Sequence, residues 1–231
     1  MNRGTLVVLP GRGEHADRYS RLTARLAVDG YQVRVVDLPE PEPSLALARV
    51  HTLAKATEGP LYLLGADTGA LLALHVARFE PAVRAVIAAG VPGGALPADG
   101  ETLDFDDELK LRLHSADQRT ELAADEGLRR GELLRKPVPP ALAEAALAGG
   151  PDLPVLVLHG DSDVLCPPLT ARTLALRLRQ SRFVTVAESR HDVLHDSHHR
   201  SVAAQIVQLL EQTRTSRYST PALRVSIRST F

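Results

Sequence analysis

Short runs of apolar residues alternate along the chain with longer segments in which apolar residues recur every three or four positions. The short runs predict buried strands, and the longer segments predict helices with one apolar face. Strands and helices that alternate in this way are typical of an α/β fold with a doubly wound, mainly parallel sheet. We expect six core strands, at residues 5–9, 32–37, 61–64, 83–89, 155–158 and 183–186.

The helical segments of this pattern connect the predicted strands. A further helix follows the strand at 61–64 directly. Ser44 is a suitable N-cap for the helix predicted at 44–56. The remaining helices of the core are expected at residues 18–28, 44–56, 169–178 and 200–212.

The pattern changes between the fourth and fifth strands, where residues 93–150 contain charged, leucine-bearing segments and no strand signal. We expect this insertion to form a small helical lid over one end of the sheet. It separates the two parts of the core, residues 1–92 and 151–212. Helices are predicted within it at residues 105–113, 120–134 and 141–147.

The tail, residues 213–231, contains four arginines and no acidic residue. Residues 222–228 alternate between apolar and polar positions, as an edge strand does. We expect the tail to dock on its own subunit or on a second copy of the chain, which makes a homo-oligomer possible.

Composition narrows the class of function. The formal net charge of −1 gives no reason to expect a nucleic acid or an anionic membrane as partner. No apolar run approaches the roughly 20 residues of a membrane-spanning helix, and the residues after Met1 lead into a strand without a secretory signal. The single cysteine, Cys166, allows no internal disulfide and suits a reducing compartment. We therefore expect a cytoplasmic protein that acts on a small molecule.

The segment around Asp67 has the pattern of a sharp strand-to-helix turn. The third predicted strand leads into Gly65-Ala66-Asp67-Thr68-Gly69 and then into an Ala- and Leu-rich helix. Glycines two residues before and after the apex prevent a clash, as they do in the nucleophile elbow G-x-S-x-G. Asp67 occupies the apex, so a carboxylate stands where a serine is usual.

Two more polar segments follow predicted strands. Residues 159–163 come after the fifth strand, and residues 189–191 come after the sixth. Because open parallel sheets bind ligands at the carboxyl ends of their strands, we expect both segments and Asp67 to border one crevice. A nucleophile, an acid and a histidine in this chain order match the triad order of α/β-hydrolases.

The first loop carries a more specific resemblance. Leu9-Pro-Gly-Arg-Gly-Glu-His15, followed by Arg18-Tyr19, resembles the H-G-x-G-E-H…R-Y segment of monoglyceride lipases and lysophospholipases. Asp163-Val-Leu-Cys166 and His191-Asp-Val-Leu-His195 also resemble that group. The similarity covers residues 4–92 and 153–212, and it implies an α/β-hydrolase fold.

The resemblance also implies roles for individual residues. Asp163, rather than Asp161, would be the acid that orients the base His191. The oxyanion hole would be formed by backbone N–H groups in the first loop, which begins at Gly11, and at the start of the elbow helix. These two donors would be Arg12 and Thr68. The sequence departs from the group at Pro10, where histidine is usual, and at Asp67.

A carboxylate nucleophile changes the reaction that such a site can perform. Attack on an ester carbonyl would give an anhydride and expel an alkoxide, whereas displacement at a saturated carbon gives an alkyl ester that water can hydrolyse. Asp67 in this position resembles haloalkane dehalogenases and epoxide hydrolases. Their leaving-group tyrosines and tryptophans are missing, since the chain has no Trp and no Tyr between Tyr62 and Tyr218. Cations that could substitute are Arg12, Arg112 and His114.

Two other interpretations keep the fold and change the function. Asp67 and Asp163 on either side of His191 would favour imidazolium, which suits acid–base chemistry in a lyase, cyclase or isomerase. Alternatively, the elbow is inert in a protein that only binds a ligand.

A dinucleotide site is a further alternative, because Gly11-Arg-Gly-Glu-His-Ala16 with Asp37 approaches the G-x-G-x-x-G fingerprint. Glu14 and His15 are bulky and charged where a pyrophosphate would approach. The hydrolase interpretation accounts for more of the loops, so no cofactor is expected.

Two further features have ordinary explanations. His191, His195, His198 and His199 lie close together in sequence, but no second group of ligands completes a metal site, so a solvated polar loop is the expected structure. Cys166 lies near Asp163, where a reactive thiol is conceivable. A small buried hydrophobic side chain is the more common role of a lone cysteine.

Overall fold

A six-stranded parallel sheet forms the centre of the chain in the computed structural model, which describes residues 2–93, 102–147 and 149–215. The strand order is β2-β1-β3-β4-β5-β6, so the chain starts near the middle and winds outward in both directions. This confirms the predicted doubly wound sheet. The strands are β1 (Gly4–Leu9), β2 (Tyr31–Val35), β3 (Leu61–Ala66), β4 (Val83–Ala89), β5 (Val155–Gly160) and β6 (Ser181–Val186).

Helices connect the strands and cover both faces of the sheet. One turn of 3₁₀-helix, Ala16–Tyr19, precedes the first α-helix. The α-helices are α1 (Ser20–Val28), α2 (Pro43–Lys55), α3 (Thr68–Val76), α4 (Phe105–Arg112), α5 (Ala116–Ala123), α6 (Glu132–Arg135), α7 (Pro140–Leu147), α8 (Pro168–Arg177) and α9 (His199–Thr215).

The central strands are buried on both faces because their side chains alternate between two hydrophobic cores. Leu6 and Val8 of β1 pack on the side of α1 and α9. Val7 and Leu9 pack on the opposite side, against α2, α3 and α8. The continuous apolar run of β1 in the sequence follows from this double burial.

The inserted helices α4–α7 lie between β4 and β5 in the chain. α7 packs against α3 and contributes Leu142 to one of the sheet cores, whereas Leu109, Leu113, Leu122 and Leu128 form a small separate core. The assignment of residues 93–150 to a lid stays a prediction, and residues 94–101 and 148 lie outside the described part of the chain.

Three sequence predictions differ from the structure in detail. The helix predicted at 120–134 is two helices, α5 and α6, because the chain turns through Gly127 and through Gly131, whose φ is 82°. The N-cap of α2 is Glu42 rather than Ser44, since the Glu42 carboxylate accepts the N–H groups of Ser44 and Leu45. The helix predicted from residue 18 begins as a 3₁₀ turn.

The last helix extends beyond its predicted end. α9 continues to Thr215, so the predicted tail of residues 213–231 begins inside a helix. Residues 216–231, including the predicted edge strand, lie outside the described residues, and oligomerisation through the tail stays a prediction. Among the described helices, none has the length and apolar character needed to cross a bilayer.

Candidate active site

Asp67 lies at the apex of a strained turn between β3 and α3. Its backbone angles are φ 48° and ψ −122°, a conformation that few non-glycine residues adopt. A Cβ on Gly65 would overlap the backbone of Gly69, and a Cβ on Gly69 would overlap the Leu9 carbonyl oxygen. The glycines are therefore required by close backbone packing, as the sequence pattern predicts for a nucleophile elbow.

The His191 imidazole lies between two carboxylates. Its Nδ1 is 2.8 Å from Asp163 Oδ2, and its Nε2 is 3.3 Å from Asp67 Oδ1. All three residues are at most 4% exposed. The structure thus brings together the three residues that the sequence places after β3, β5 and β6.

Asp163 is fixed by contacts on both of its oxygens. Oδ1 accepts the backbone N–H groups of Leu165 and Cys166, at 2.9 and 3.1 Å. Oδ2 also lies 3.2 Å from His159 Nε2, which in turn lies 2.7 Å from the carbonyl oxygen of Cys166. Asp161, the alternative candidate for the acid, is exposed, and its carboxylate accepts a hydrogen bond from the hydroxyl of its neighbour Ser162. The geometry therefore favours Asp163 as the residue that orients His191.

The Arg12 side chain holds Asp67 from the opposite side. Arg12 Nε donates to Oδ2 at 2.7 Å and Nη2 donates to Oδ1 at 2.8 Å, which makes a two-bonded fork. The backbone N–H of Arg12 also donates to Oδ2, at 3.0 Å. The remaining guanidinium nitrogen, Nη1, donates to the Lys136 carbonyl oxygen at 2.6 Å. Both oxygens of Asp67 are thus engaged by one residue.

The predicted oxyanion loop is held by carboxylates. Besides the bond from Arg12, the Gly11 N–H donates to Glu14 Oε2 at 2.8 Å, and the Gly13 N–H donates to Glu132 Oε2 at 3.1 Å. A dinucleotide phosphate would need these same donors, so the glycine fingerprint does not describe an open phosphate site. Thr68, the other predicted donor, is buried at the first residue of α3.

Charges in the cluster determine the protonation state of its members. Burial alone would raise the pKa of Asp67, but the Arg12 guanidinium and His191 outweigh burial and hold that pKa well below its usual value. Burial would also lower the pKa of His191, yet the carboxylates of Asp163 and Asp67 raise it to about 10. The resting site is therefore two carboxylates paired with an imidazolium and a guanidinium.

A second buried network connects the inserted helices to the site. Arg112, at the end of α4, is 1% exposed and donates from Nη2 to the Arg12 carbonyl oxygen at 2.8 Å. Its guanidinium also pairs with Glu108 at 2.9 Å and with Asp192 at 3.3 Å. Because Asp192 follows His191, Arg112 joins the oxyanion loop to the histidine loop.

These contacts separate the three cations proposed for the leaving group. The Arg12 guanidinium contacts Asp67, whereas Arg112 reaches the site only through backbone and Asp192. His114 is exposed, and its backbone N–H is bonded to Asp196. Of the three, Arg12 is the cation whose side chain contacts Asp67.

A pocket of about 480 Å³ opens beside the cluster. Its volume lies within the range of small-molecule sites. Five prolines line it, from the segment between β2 and α2 and the segment between α6 and α7, and Arg12 lines it as well. Gly11 and Thr68 also line the pocket, and the prolines are Pro39, Pro41, Pro43, Pro137 and Pro139.

The remaining candidates lie outside the cluster. His195 is buried with its ring edge against Tyr19, at a centroid distance of 5.1 Å. In the described ranges no group of three or more His, Cys, Asp or Glu side chains is arranged to hold a metal ion. Cys166 is buried, and its environment raises the pKa of the thiol to about 12, chiefly through burial. That thiol is a packed side chain and not an activated nucleophile.

The sequence assigned Arg12 a backbone role in the oxyanion hole and made its side chain one of three candidate cations for the leaving group, but it did not predict that this side chain binds Asp67. The signal that pointed to this side chain was the lack of the usual leaving-group tyrosines and tryptophans. The contacts of Glu132 and Lys136 had no such signal, because these residues approach from an inserted helix and its C-terminal end.

Solved structures with the same fold include several enzymes. The monoacylglycerol lipase of Paleococcus ferrophilus has a TM-score of 0.76 and 21% identity over 92% of this chain and 95% of its own. A soluble variant of the Saccharomyces cerevisiae monoglyceride lipase has a TM-score of 0.73 and 15% identity, over 92% and 87% of the two chains. The enol-lactonase of Burkholderia xenovorans has a TM-score of 0.69 and 16% identity, over 91% and 92%.

Comparison of the sequence with protein families identifies the family of this chain. No curated protein matches the chain in sequence. The model of the Alpha/beta hydrolase family, however, matches residues 6–205, which include Asp67, Asp163 and His191. This match covers most of the sequence and agrees with the sheet order and the elbow, and the chain therefore belongs to the Alpha/beta hydrolase family.

Proposed function

We propose that the protein is a cofactor-independent hydrolase in which Asp67 attacks a saturated carbon of a small, partly apolar substrate. One observation carries this proposal: Asp67, at the apex of the elbow, has Oδ2 at the Arg12 N–H and Oδ1 3.3 Å from the Asp163-oriented His191. Membership of a hydrolase family supports hydrolysis as the overall reaction.

In the first step, a carboxylate oxygen of Asp67 forms a bond to the substrate carbon, and the leaving group departs with its electron pair. The product is an alkyl ester of Asp67. A saturated carbon suits this nucleophile, because attack on an ester carbonyl would yield an anhydride.

In the second step, water attacks the carbonyl carbon of this ester while His191 accepts the proton. The N–H groups of Arg12 and Thr68 stabilise the negative charge that develops on the ester oxygen. The alcohol then leaves with a proton from His191, and the Asp67 carboxylate is regenerated.

Esterification itself prepares His191 for the second step. The imidazolium is stabilised by two carboxylates, and alkylation removes the charge of one of them. The pKa of His191 then falls from its resting value of about 10, which makes neutral imidazole available as the base near neutral pH.

The first experiment traps the intermediate. The variant His191→Gln is incubated with alkyl halides, epoxides and esters, and intact protein is weighed by mass spectrometry. We expect an added mass on Asp67, located by peptide mapping, with a halide or an epoxide. The double variant Asp67→Asn/His191→Gln is the matched control and gains no mass. Turnover that survives Asp67→Asn would refute the nucleophilic role.

A second candidate function follows from the charge state of the site. His191 is an imidazolium at rest, and an imidazolium between two carboxylates can act as a general acid without any covalent step. The function would then be that of a non-hydrolytic lyase, cyclase or isomerase. Activity that depends on His191 and Asp67 with no adduct in the trapping experiment would favour it.

A further inference from the structure

The Arg12 side chain blocks access to the proposed nucleophile, Asp67. Its fork occupies both oxygens of Asp67, and Asp67 is only 4% exposed. A substrate carbon reaches Asp67 only if the guanidinium withdraws from at least one of these oxygens. The question is therefore which substrates can make that withdrawal favourable.

A neutral substrate cannot replace what the guanidinium would lose. Arg12 is 8% exposed, and opening its pair with Asp67 without a replacement would leave a buried guanidinium with no counter-charge. An anionic substrate, in contrast, exchanges one carboxylate for another. Asp67 then still has the Arg12 backbone N–H and the His191 imidazolium as partners.

We propose that the substrate carries a carboxylate and that the Arg12 guanidinium binds this carboxylate in place of Asp67. Asp67 is then free to attack a carbon of the substrate that lies close to the substrate carboxylate. This inference rests on the proposed function and names its substrate class. A planar carboxylate is specified rather than any anion, because the two donors of the fork already fit the carboxylate of Asp67 in parallel.

The pocket is placed to admit such a substrate. It reaches the Arg12 side chain, and its proline-rich walls offer apolar surface for the rest of a small molecule. The acids at its wall are already engaged: Glu132 pairs with Arg129 and Lys136, at 2.9 and 3.0 Å, and Glu40 pairs with Lys136 at 3.0 Å.

Glu42, the remaining acid at the wall, accepts the first N–H groups of α2. Each wall acid thus has a partner of its own, and the pair of Arg12 with Asp67 is the one that a substrate has to open.

The test measures binding without turnover. Isothermal titration calorimetry compares propionate with propionamide, which has the same shape and no charge, on the full chain and its variants. Asp67→Asn removes the internal competitor for Arg12 and nearly conserves volume. We expect this variant to bind propionate at least about tenfold more tightly than the native protein does, and to discriminate against propionamide.

Two further variants show whether the effect belongs to Arg12. Adding Arg12→Gln to Asp67→Asn abolishes the gain, whereas adding Arg179→Gln leaves it intact. Arg179 is a matched control because it forms an Arg–Asp pair with Asp152 at 2.9 Å on the surface, with 76% of its side chain exposed. Thermal denaturation verifies that each variant is folded. Equal binding of propionate and propionamide to Asp67→Asn, or binding that survives loss of Arg12, overturns the inference.

The inference and the proposed function fail separately. Trapping in His191→Gln with 2-chloropropionate and with 2-chloropropionamide distinguishes them. An equal adduct on Asp67 with both compounds sustains the nucleophile and refutes the carboxylate requirement. No adduct with either compound, together with Arg12-dependent propionate binding to Asp67→Asn, refutes the nucleophile and sustains the carboxylate site.

Discussion

The charge of His191 predicts how the stability of the protein depends on pH. His191 has a pKa of about 10 in the folded chain and an ordinary value of 6.5. Because the folded pKa is the higher one, protonation stabilises the fold. This contribution is complete below pH 6.5 and is lost as the pH rises from 6.5 through 10.

The size of the effect follows from the difference between the two values. The interval from 6.5 to about 10 corresponds to about 5 kcal/mol of unfolding free energy. Because His191 is only 2% exposed, solvent does not screen the attraction between its imidazolium and the two carboxylates. The pKa of the buried Tyr19 phenol is raised well above its usual value, chiefly by burial, so this group does not lose its proton in the same window.

Urea unfolding at intervals from pH 6 to pH 10 measures this loss, and His191→Gln is the reference. We expect the unfolding free energy of the native protein to fall by several kcal/mol more than that of the variant. Proton NMR of the His191 ring gives its pKa directly. A ring that titrates between pH 6 and 7, or parallel stability curves for the two proteins, would refute the assignment of an imidazolium held by Asp67 and Asp163.

Three further predictions concern the surroundings of the site. Gly69→Ala should destabilise the fold by about 1–3 kcal/mol in urea unfolding, since a Cβ there overlaps the Leu9 carbonyl oxygen; an unchanged midpoint would contradict the close packing. Arg112→Met should cost about 3–5 kcal/mol, because it leaves Glu108 without its buried cation and leaves Asp192 with Arg18 alone. That variant is measured against Arg179→Gln, for which a change below about 1 kcal/mol is expected. At pH 8 Cys166 should react with a thiol reagent at the rate of unfolding rather than that of a free thiol, owing to its burial and raised pKa; rapid labelling of folded protein would contradict this.

The local sequence pattern and the resemblance to a known family each predicted part of the candidate site. The glycines that flank Asp67, and the positions of Asp163 and His191 after their strands, follow from local rules of turn geometry and parallel sheets. These rules act over a few residues, so they can be read from sequence. They predicted that loops carrying these side chains meet, whereas the choice of Asp163 over Asp161 came from the resemblance. The imidazolium form of His191 was expected only in one of the alternative interpretations.

The order of strands and helices and the apex position of Asp67 could be predicted from the sequence, because hydrophobic period and glycine spacing are local properties. The break between α5 and α6 could not be predicted in the same way, because the helical pattern of this segment continues through Gly127 and Gly131, where the chain turns. Propensity along one segment is a weak constraint when loop contacts decide the path of the chain.

The pairing of Asp67 with the Arg12 side chain follows from the folded arrangement of distant segments. Arg12 lies 55 residues before Asp67 in the chain, and Arg112 lies 100 residues after Arg12, yet the three are linked through buried hydrogen bonds. Charges interact according to distance and burial, not according to sequence spacing. The position of Asp67 at the elbow could therefore be predicted from the sequence. Its pairing with the Arg12 guanidinium could not, because that contact forms only when the sheet, the first loop and the inserted helices pack against one another.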